Sequence, residues 1–170
     1  MAGLLRIISG KLARRKFNVP SLADQGLVRP TGDMVREAIF SSLAGKVQDA
    51  KVLDLFAGSG ACSFEALSRG AGFALLLEKN KTVFSCIEEN IAKLDLTDSC
   101  KLQLADACIF IGSTPKNKFE IVFIDPPYIM TLAPGFWERL KNWLADDAVL
   151  IFRQEKMKKF LMPSGYTQVR

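Results

Sequence analysis

Apolar positions along this chain change between two spacings, one typical of β-strands and one typical of α-helices. Short, mostly apolar runs recur from residue 51 onward, and stretches with apolar residues three or four positions apart stand between them. This pattern predicts strands at 51–56, 73–77, 101–105, 119–124 and 148–152, with helices at 60–69, 81–94, 107–111 and 136–144. Such regular alternation predicts an α/β fold, a mostly parallel twisted sheet with helices on both faces.

The first 50 residues carry a different pattern. Short strands at 4–8 and 14–19 predict a β-hairpin around Gly10, and a polar loop follows at 21–32. A helix is expected at 33–44. Its buried face is expected to hold Val35, Ala38, Ile39, Ser42 and Leu43.

The positive charge of the chain is concentrated near its beginning. A length of 170 residues favours one domain, with the hairpin at 1–20, the loop, and an α/β core at 33–170. Residues 1–37 hold seven of the 23 Lys and Arg but only three of the 18 acids, within a net charge of +5. A basic arm suits a polyphosphate partner, although charged strands can also be a solvated edge that deters aggregation. The hairpin residues assigned to nucleic acid are Lys11, Arg14, Arg15 and Lys16.

Histidine is absent from the sequence, which excludes Ser-His-Asp and Cys-His catalysis and disfavours a catalytic metal. The four cysteines have no C-x-x-C spacing, so we interpret them as small core residues in a reducing compartment, and we expect no metal. No apolar run approaches transmembrane length, and the first ten residues do not resemble a signal peptide. We therefore expect a cytoplasmic protein without membrane contact, active as a monomer.

Acidic residues stand where three consecutive strands end: Asp54, Glu78 and Asp106. Gly58 and Gly60 follow the first of them, and glycines there let backbone N–H groups approach a ligand at a helix N-terminus. An acid about 20 residues further on is typical of ribose binding.

Two interpretations of these acids stay open at this stage. Each could be a helix N-cap that satisfies free N–H groups. Alternatively, they bind an adenosine-bearing ligand; because Ser63 stands where a dinucleotide fingerprint needs Gly or Ala, the ligand lacks a diphosphate. S-adenosylmethionine, whose sulfonium is cationic, fits that description better than NAD.

A fourth acid follows the strand at 119–124, in the sequence Asp125-Pro126-Pro127-Tyr128. Proline has no N–H to donate, so the two prolines end strand pairing and present the acid and the aromatic ring at the strand's carboxyl end. A carboxylate and a backbone carbonyl there could accept hydrogen bonds from an exocyclic amine while Tyr128 stacks on an unpaired base. A plain turn after a strand is the structural alternative.

Together these segments resemble the RsmD family, bacterial enzymes that methylate the N2 amine of a guanine in 16S rRNA of the small ribosomal subunit. The resemblance rests on LLRIISGKLARRKF (4–17), RPTGDMVREAIF (29–40), LDLFAGSGACSFEALSRGA (53–71), LLLEKN (75–80) and IVFIDPPY (121–128). It implies a Rossmann-like fold, S-adenosylmethionine as cofactor, and rRNA or the assembling small subunit as partner. Family members usually end with an antiparallel strand pair. Residues 166–170 could supply only the first of these strands, so the C-terminal edge of the sheet is expected to be incomplete.

The resemblance also implies a role for individual residues. The acceptor site is assigned to Asp125, Pro126, Pro127 and Tyr128. The cofactor is assigned to Asp54, Phe56, Gly58, Gly60, Glu78, Lys79, Asp106 and Ala107. Nucleic-acid contacts or pocket lining extend from the hairpin to Arg29, Thr31 and Arg36.

Three other functions compete with rRNA guanine-N2 methylation. A DNA adenine-N6 methyltransferase could use the same Asp-Pro-Pro-Tyr sequence, and the basic hairpin suits both substrates. A non-catalytic RNA-binding module with the same fold would not need Glu78, Asp125 and Tyr128. A nicotinamide-dependent oxidoreductase is disfavoured by Ser63.

Overall fold

Five parallel strands form the central sheet, and a separate two-stranded hairpin precedes them. The structure is a computed structural model that describes residues 3–20, 32–43, 45–127, 130–154 and 163–167. In chain order the elements are β1 (Gly3–Arg6), β2 (Lys16–Val19), α1 (Asp33–Leu43), β3 (Lys51–Asp54), α2 (Ala61–Ser68), β4 (Phe73–Glu78), α3 (Lys81–Lys93), β5 (Cys100–Leu104), α4 (Ala107–Phe110), β6 (Phe119–Ile124), α5 (Pro134–Lys141) and β7 (Leu144–Phe152). No helix in these ranges is both long and apolar enough to span a membrane.

The strand order in the sheet is β5-β4-β3-β6-β7. From β3 the chain moves outward through β4 to β5, then returns to the other side of β3 to place β6 and β7. Leu53 of β3 therefore pairs with Leu75 of β4 on one side and with Val122 of β6 on the other. The order reverses between β3 and β6, and in open parallel sheets ligands bind at the carboxyl ends of the strands at such a reversal.

Each face of the sheet buries its own hydrophobic core. Val52, Leu76 and Phe123 point to the face covered by α1, α2, α3 and the hairpin. Leu53 and Val122 belong to the opposite face, which α4 and α5 cover. Because side chains alternate along a strand, neighbouring apolar residues feed both cores, and the strands read as continuous apolar runs. The predicted fold class, including the hairpin, is confirmed.

The buried face of α1 differs from the predicted one. Val35 is 42% exposed, whereas Phe40, Leu43 and the fully buried Arg36 face the core. Leu43 was predicted correctly and Ile39 packs partly buried against the core, whereas Ala38 and Ser42 are exposed like Val35. Hydropathy gives an arginine no weight as a core residue, so the prediction missed Arg36. Arg36 is tolerated inside because its guanidinium donates hydrogen bonds to the Arg6 carbonyl and the Asp33 carboxylate, both at 2.8 Å.

The C-terminal part of the sheet also departs from the prediction. The last helix ends at Lys141 and β7 begins at Leu144, whereas the sequence suggested a helix to 144 and a strand from 148. An irregularity in the β6–β7 pairing explains the difference, because Phe119 pairs with Leu144 but Ile121 with Val149.

The strand predicted at 166–170 lies partly outside the described residues. Its first residue, Tyr166, is not in a strand. Its hydroxyl donates a hydrogen bond to the Trp137 carbonyl at 2.9 Å, and its ring packs edge-on against Trp137. This contact fixes the 163–167 segment against α5. The loop predicted at 21–32 lies outside the described residues except for Gly32.

The hairpin is fastened to α2 by a buried carboxylate. Glu65 is fully buried, and its two oxygens accept the backbone N–H groups of Ile8 (2.8 Å) and Ser9 (3.0 Å) and the Arg69 guanidinium (2.6 Å). Ser68, one turn on, accepts the Lys11 N–H at its carbonyl (2.7 Å). A short segment without its own core is thus held by hydrogen bonds that would be costly to leave unmade.

Asn90 of α3 makes the second attachment of the hairpin. Its buried side chain accepts the Asn18 N–H at 2.9 Å and donates to the Asn18 carbonyl at 2.7 Å, as a neighbouring strand would. Phe17 packs edge-on against Phe64 beneath it, with ring centroids 5.2 Å apart. The hairpin therefore presents its basic residues from a fixed base.

Gly10 gives a test of this attachment. It has φ +84°, and a Cβ there would lie 1.9 Å from the Ser68 carbonyl oxygen, whereas Gly45 has φ +77° and nothing within 4 Å. We expect Gly45→Ala to cost about 1 kcal/mol from backbone strain alone and Gly10→Ala to cost about 1 to 3 kcal/mol more from the clash. Urea denaturation of both variants measures the difference. Equal losses would show that the hairpin does not need this close approach.

Candidate functional site

The four predicted acids lie at the same edge of the sheet. Asp54 ends β3, Glu78 ends β4, Asp106 follows β5 and Asp125 follows β6. Since β5, β4, β3 and β6 are neighbours and parallel, their carboxyl ends lie side by side at the edge where open parallel sheets bind ligands. The structure therefore brings together residues that are more than 70 positions apart in sequence.

Asp54 is the most deeply buried of these acids, with 3% of its surface exposed. The Ser63 hydroxyl, itself fully buried, donates a hydrogen bond of 2.7 Å to its Oδ2. Burial raises the pKa of Asp54 from 3.8 to about 7; the Ser63 hydrogen bond opposes this, while the charge of Asp125 adds to it. Ser63, which departs from a dinucleotide fingerprint, thus has a specific role as the partner of Asp54.

The loop between β3 and α2 contains two glycines in a backbone conformation that residues with a side chain rarely adopt. Gly58 and Gly60 have φ of 55° and 75°, and a Cβ on Gly60 would lie 2.8 Å from the Phe64 ring. The Gly58 N–H donates to Glu78 Oε2 at 3.1 Å, and the Asn80 N–H donates to Oε1 at 2.8 Å. Glu78 therefore ties the loop to the end of β4 while remaining half-buried.

The N-cap interpretation applies to one of the three acids. Asp106 caps α4, accepting the Cys108 N–H at 2.9 Å, and Lys79 lies 3.6 Å from its other oxygen. Asp54 and Glu78 cap no helix, since α2 has Gly60 at that position and α3 has Asn80. The N-cap interpretation is therefore wrong for Asp54 and Glu78.

The two remaining residues assigned to the cofactor lie beside these acids in the chain. Ala107 is buried at the start of α4, and Phe56 is half-buried against the core under α4 and α5. Their side chains contribute shape and apolar surface, not charge.

Asp125 is half-buried at the end of β6 and forms an ion pair that the sequence did not predict. Its Oδ2 lies 2.7 Å from the Nη1 of Arg153, the first residue after β7. Burial raises the pKa of Asp125, and the guanidinium of Arg153 opposes the rise. A basic residue directly after the last parallel strand was the available signal, because β7 is the neighbour of β6.

The Asp-Pro-Pro segment leaves the sheet as expected. Pro126 is buried, and the Pro127 carbonyl accepts the Met130 N–H at 2.8 Å. The ladder stops at Ile124, whose carbonyl accepts the Arg153 N–H. Tyr128 lies outside the described residues.

The basic residues of the hairpin fall into two groups. Lys11, Arg14 and Lys16 are exposed. Arg15 instead binds the C-terminal end of α3, donating to the carbonyls of Leu94 (3.2 Å) and Lys93 and to the Asp95 carboxylate (3.0 Å). A cation there also suits the negative end of the helix dipole.

Of the other three predicted nucleic-acid residues, the structure describes only Arg36. Arg36 is fully buried between α1 and the hairpin. Arg29 and Thr31 lie outside the described residues. Nucleic-acid contact by any of them stays a prediction.

Asp54 makes the stability of the protein depend on pH. Its pKa is about 7 when folded and 3.8 ordinarily, so between these values the folded state keeps a proton that the unfolded state has released. The stability that the folded state gains from holding this proton is fully present below about pH 4 and is lost as the pH rises through 7. We expect Asp54→Asn to gain about 2 to 3 kcal/mol relative to wild type between pH 5 and pH 8, measured by urea denaturation.

The exposed Asp98 supplies the control, and Asp98→Asn should show no such gain. If the free energies of unfolding of Asp54→Asn and Asp98→Asn change in parallel with pH, Asp54 is ionised in the folded protein at neutral pH. Other interactions then offset the cost of burying its charge.

Comparison with known proteins agrees with the fold. The model of a family described as Conserved hypothetical protein 95 matches residues 5–170. Ribosomal RNA small subunit methyltransferase D of Haemophilus influenzae is 36% identical over 172 residues, which is 99% of this chain and 88% of that protein.

Solved structures extend the likeness to three dimensions. The structure of the Escherichia coli protein yhhF has a TM-score of 0.87 and 35% identity, covering 99% of this chain and 91% of that chain. A SAM-dependent methyltransferase from Thiobacillus denitrificans, in complex with S-adenosyl-L-homocysteine, has a TM-score of 0.62 and 15% identity, over 76% of this chain and 51% of that one. The second likeness is one of fold alone. From the family match and the identity to its relatives, this chain belongs to the RsmD family.

Proposed function

We propose that this protein transfers a methyl group from S-adenosylmethionine to the exocyclic N2 amine of a guanine in 16S rRNA of the small ribosomal subunit. The observation that carries the proposal is the half-buried Asp125 carboxylate, held at the end of β6 beside the acid-lined edge of β3 and β4. The relative named ribosomal RNA small subunit methyltransferase D supports the choice of rRNA.

The edge of β3 and β4 has groups suited to this cofactor. Both oxygens of Glu78 accept one backbone N–H each, and each keeps a lone pair for a ribose hydroxyl. Asp54, with the glycine loop beside it, offers a carboxylate to a cationic ligand. When bound, S-adenosylmethionine supplies an electrophilic methyl group on a cationic sulfur. Because a cation favours the ionised form of a neighbouring acid, binding would release the proton that buried Asp54 holds.

The proposed role of Asp125 is to bind the substrate amine. The lone pair of an exocyclic amine is delocalised into the base and is a poor nucleophile. Hydrogen bonds from the amine to the Asp125 carboxylate and the Pro126 carbonyl would favour a pyramidal nitrogen whose lone pair is free to attack. These residues would act by positioning the amine, so the absence of histidine is no obstacle to the reaction.

The base must be unpaired to enter such a site. Tyr128, next in the sequence after the prolines, is proposed to stack on it, a contact worth about 1–3 kcal/mol in single-strand binders. The exposed Lys11, Arg14 and Lys16 are proposed to contact phosphates from the docked hairpin.

Replacement of Asp125 tests the acceptor site. We expect Asp125→Ala to abolish methyl transfer while S-adenosylmethionine binding, measured by calorimetry, stays close to wild type, because the carboxylate addresses the base. Transfer is measured with radiolabelled cofactor on small-subunit particles that lack the modification, and the methylated nucleotide is mapped by mass spectrometry. Asp146→Ala, an exposed acid on β7, is the matched control and should remain active.

A fully active Asp125→Ala protein would contradict the proposal. Methylation of duplex DNA at adenine, with none on ribosomal particles, would instead favour a DNA adenine-N6 methyltransferase. An inability to bind S-adenosylmethionine would favour the non-catalytic RNA-binding module.

The two groups of hairpin residues predict different behaviour toward salt. Each of Lys11→Gln, Arg14→Gln and Lys16→Gln should reduce the slope of log affinity against log salt by about one, because each removes a phosphate contact. Arg15→Gln should leave the slope unchanged and lower the stability, because Arg15 binds the end of α3. Fluorescence anisotropy on a 16S rRNA fragment measures the slope. An unchanged slope in all three exposed variants would place the RNA surface elsewhere.

A further inference from the structure

Arg153 is joined to the end of β6 by both its backbone and its side chain. Its N–H donates to the Ile124 carbonyl at 3.0 Å, which continues the β6–β7 pairing by one residue. Its guanidinium Nη1 lies 2.7 Å from Oδ2 of Asp125, the very next residue after Ile124. The parallel pairing of two strands therefore fixes the distance between this arginine and the carboxylate.

The pairing leaves the two oxygens of Asp125 in different states. Oδ2 accepts the charge-assisted bond from Arg153, while Oδ1 accepts no hydrogen bond from the residues that the structure describes. A carboxylate held by one oxygen has its plane and rotation restricted, and its second oxygen is open to one further donor. An exocyclic amine is such a donor.

We propose that Arg153 is a positioning residue for the acceptor site, holding the Asp125 carboxylate ionised and in one orientation with Oδ1 left for the substrate amine. This inference rests on the proposed function. It assigns a role to a residue outside the Asp-Pro-Pro-Tyr segment, supplied by the neighbouring strand.

The surrounding charges show why the carboxylate needs this partner. Asp54 approaches from β3 and Glu78 lies beyond it on β4, while the neighbouring cation Lys79 is paired with Asp106 at 3.6 Å. Arg153, on the β7 side, is the cation that opposes them. Burial and negative neighbours favour the protonated form of a carboxyl. A protonated carboxyl loses an acceptor site and becomes a donor itself, which does not suit an amine.

The test compares Arg153→Gln, Arg153→Lys and Lys141→Gln with wild type. Lys141 makes an ion pair of 3.0 Å with Glu138 on α5 and serves as the matched control for loss of a partly exposed cation. The titration of Asp125 is followed by carboxyl ¹³C NMR, with its signal assigned by its absence in Asp125→Asn. In parallel, kcat and KM for S-adenosylmethionine are measured on small-subunit particles across pH.

We expect Arg153→Gln to raise the pKa of Asp125. The acidic limb of the profile of kcat against pH should shift to higher pH for the same reason. At pH 7 its kcat should fall about ten- to a hundredfold, with KM for S-adenosylmethionine unchanged, because the lost contact is on the acceptor side. Arg153→Lys should change both the pKa of Asp125 and kcat less than Arg153→Gln does, since lysine keeps the charge but not the fork geometry. Lys141→Gln should match wild type.

The outcomes separate this inference from the function on which it rests. If wild type methylates the particles and Arg153→Gln matches Lys141→Gln in both the titration and the pH profile, the role of Arg153 is refuted and the function stands. A changed titration with an unchanged kcat refutes the positioning role as well. If wild type methylates no rRNA substrate, the proposed function fails first, and the inference fails with it.

Discussion

The parallel pairing of β3 with β6 is the constraint on which the site depends. It places Asp54 opposite Phe123, two residues before Asp125, although 71 positions separate the two acids in the chain. The ladder holds Asp54 in register with Phe123, and Asp125 directly follows the last residue of β6. Their mutual repulsion is therefore built into the fold, and Ser63 and Arg153 are the groups that offset it.

Ser63 and Arg153 offset this repulsion in different ways. Ser63 gives Asp54 a neutral hydrogen bond inside the protein, which leaves the pKa of Asp54 raised to about 7. Arg153 gives Asp125 a full charge at a half-exposed position, where the cost of burial is smaller. Burial raises the pKa of both acids; a neutral hydrogen bond opposes the rise at Asp54, and a cation opposes it at Asp125.

Buried polar side chains also hold the hairpin in place. Glu65 and Asn90 are buried and polar, and each satisfies backbone groups of a hairpin that is not paired with the central sheet. Arg15 adds a third attachment at the end of α3. The basic surface is consequently held in a fixed position relative to α2 and α3.

The sequence by itself determined the order of strands and helices, the parallel sheet, the hairpin and the acids at the strand ends. These follow from local periodicity and from residues such as Pro126 and Gly60 that restrict or free the backbone where they stand. Only the tertiary structure decided that Asp106 caps a helix, that Arg36 is buried on the core side of α1, and that Arg15 faces α3. It also decided that Arg153 meets Asp125. Except for the Asp106 cap, whose partner Cys108 is two residues away, each of these depends on a partner distant in sequence. The charge of a side chain does not reveal whether it meets solvent, a helix end or another charge.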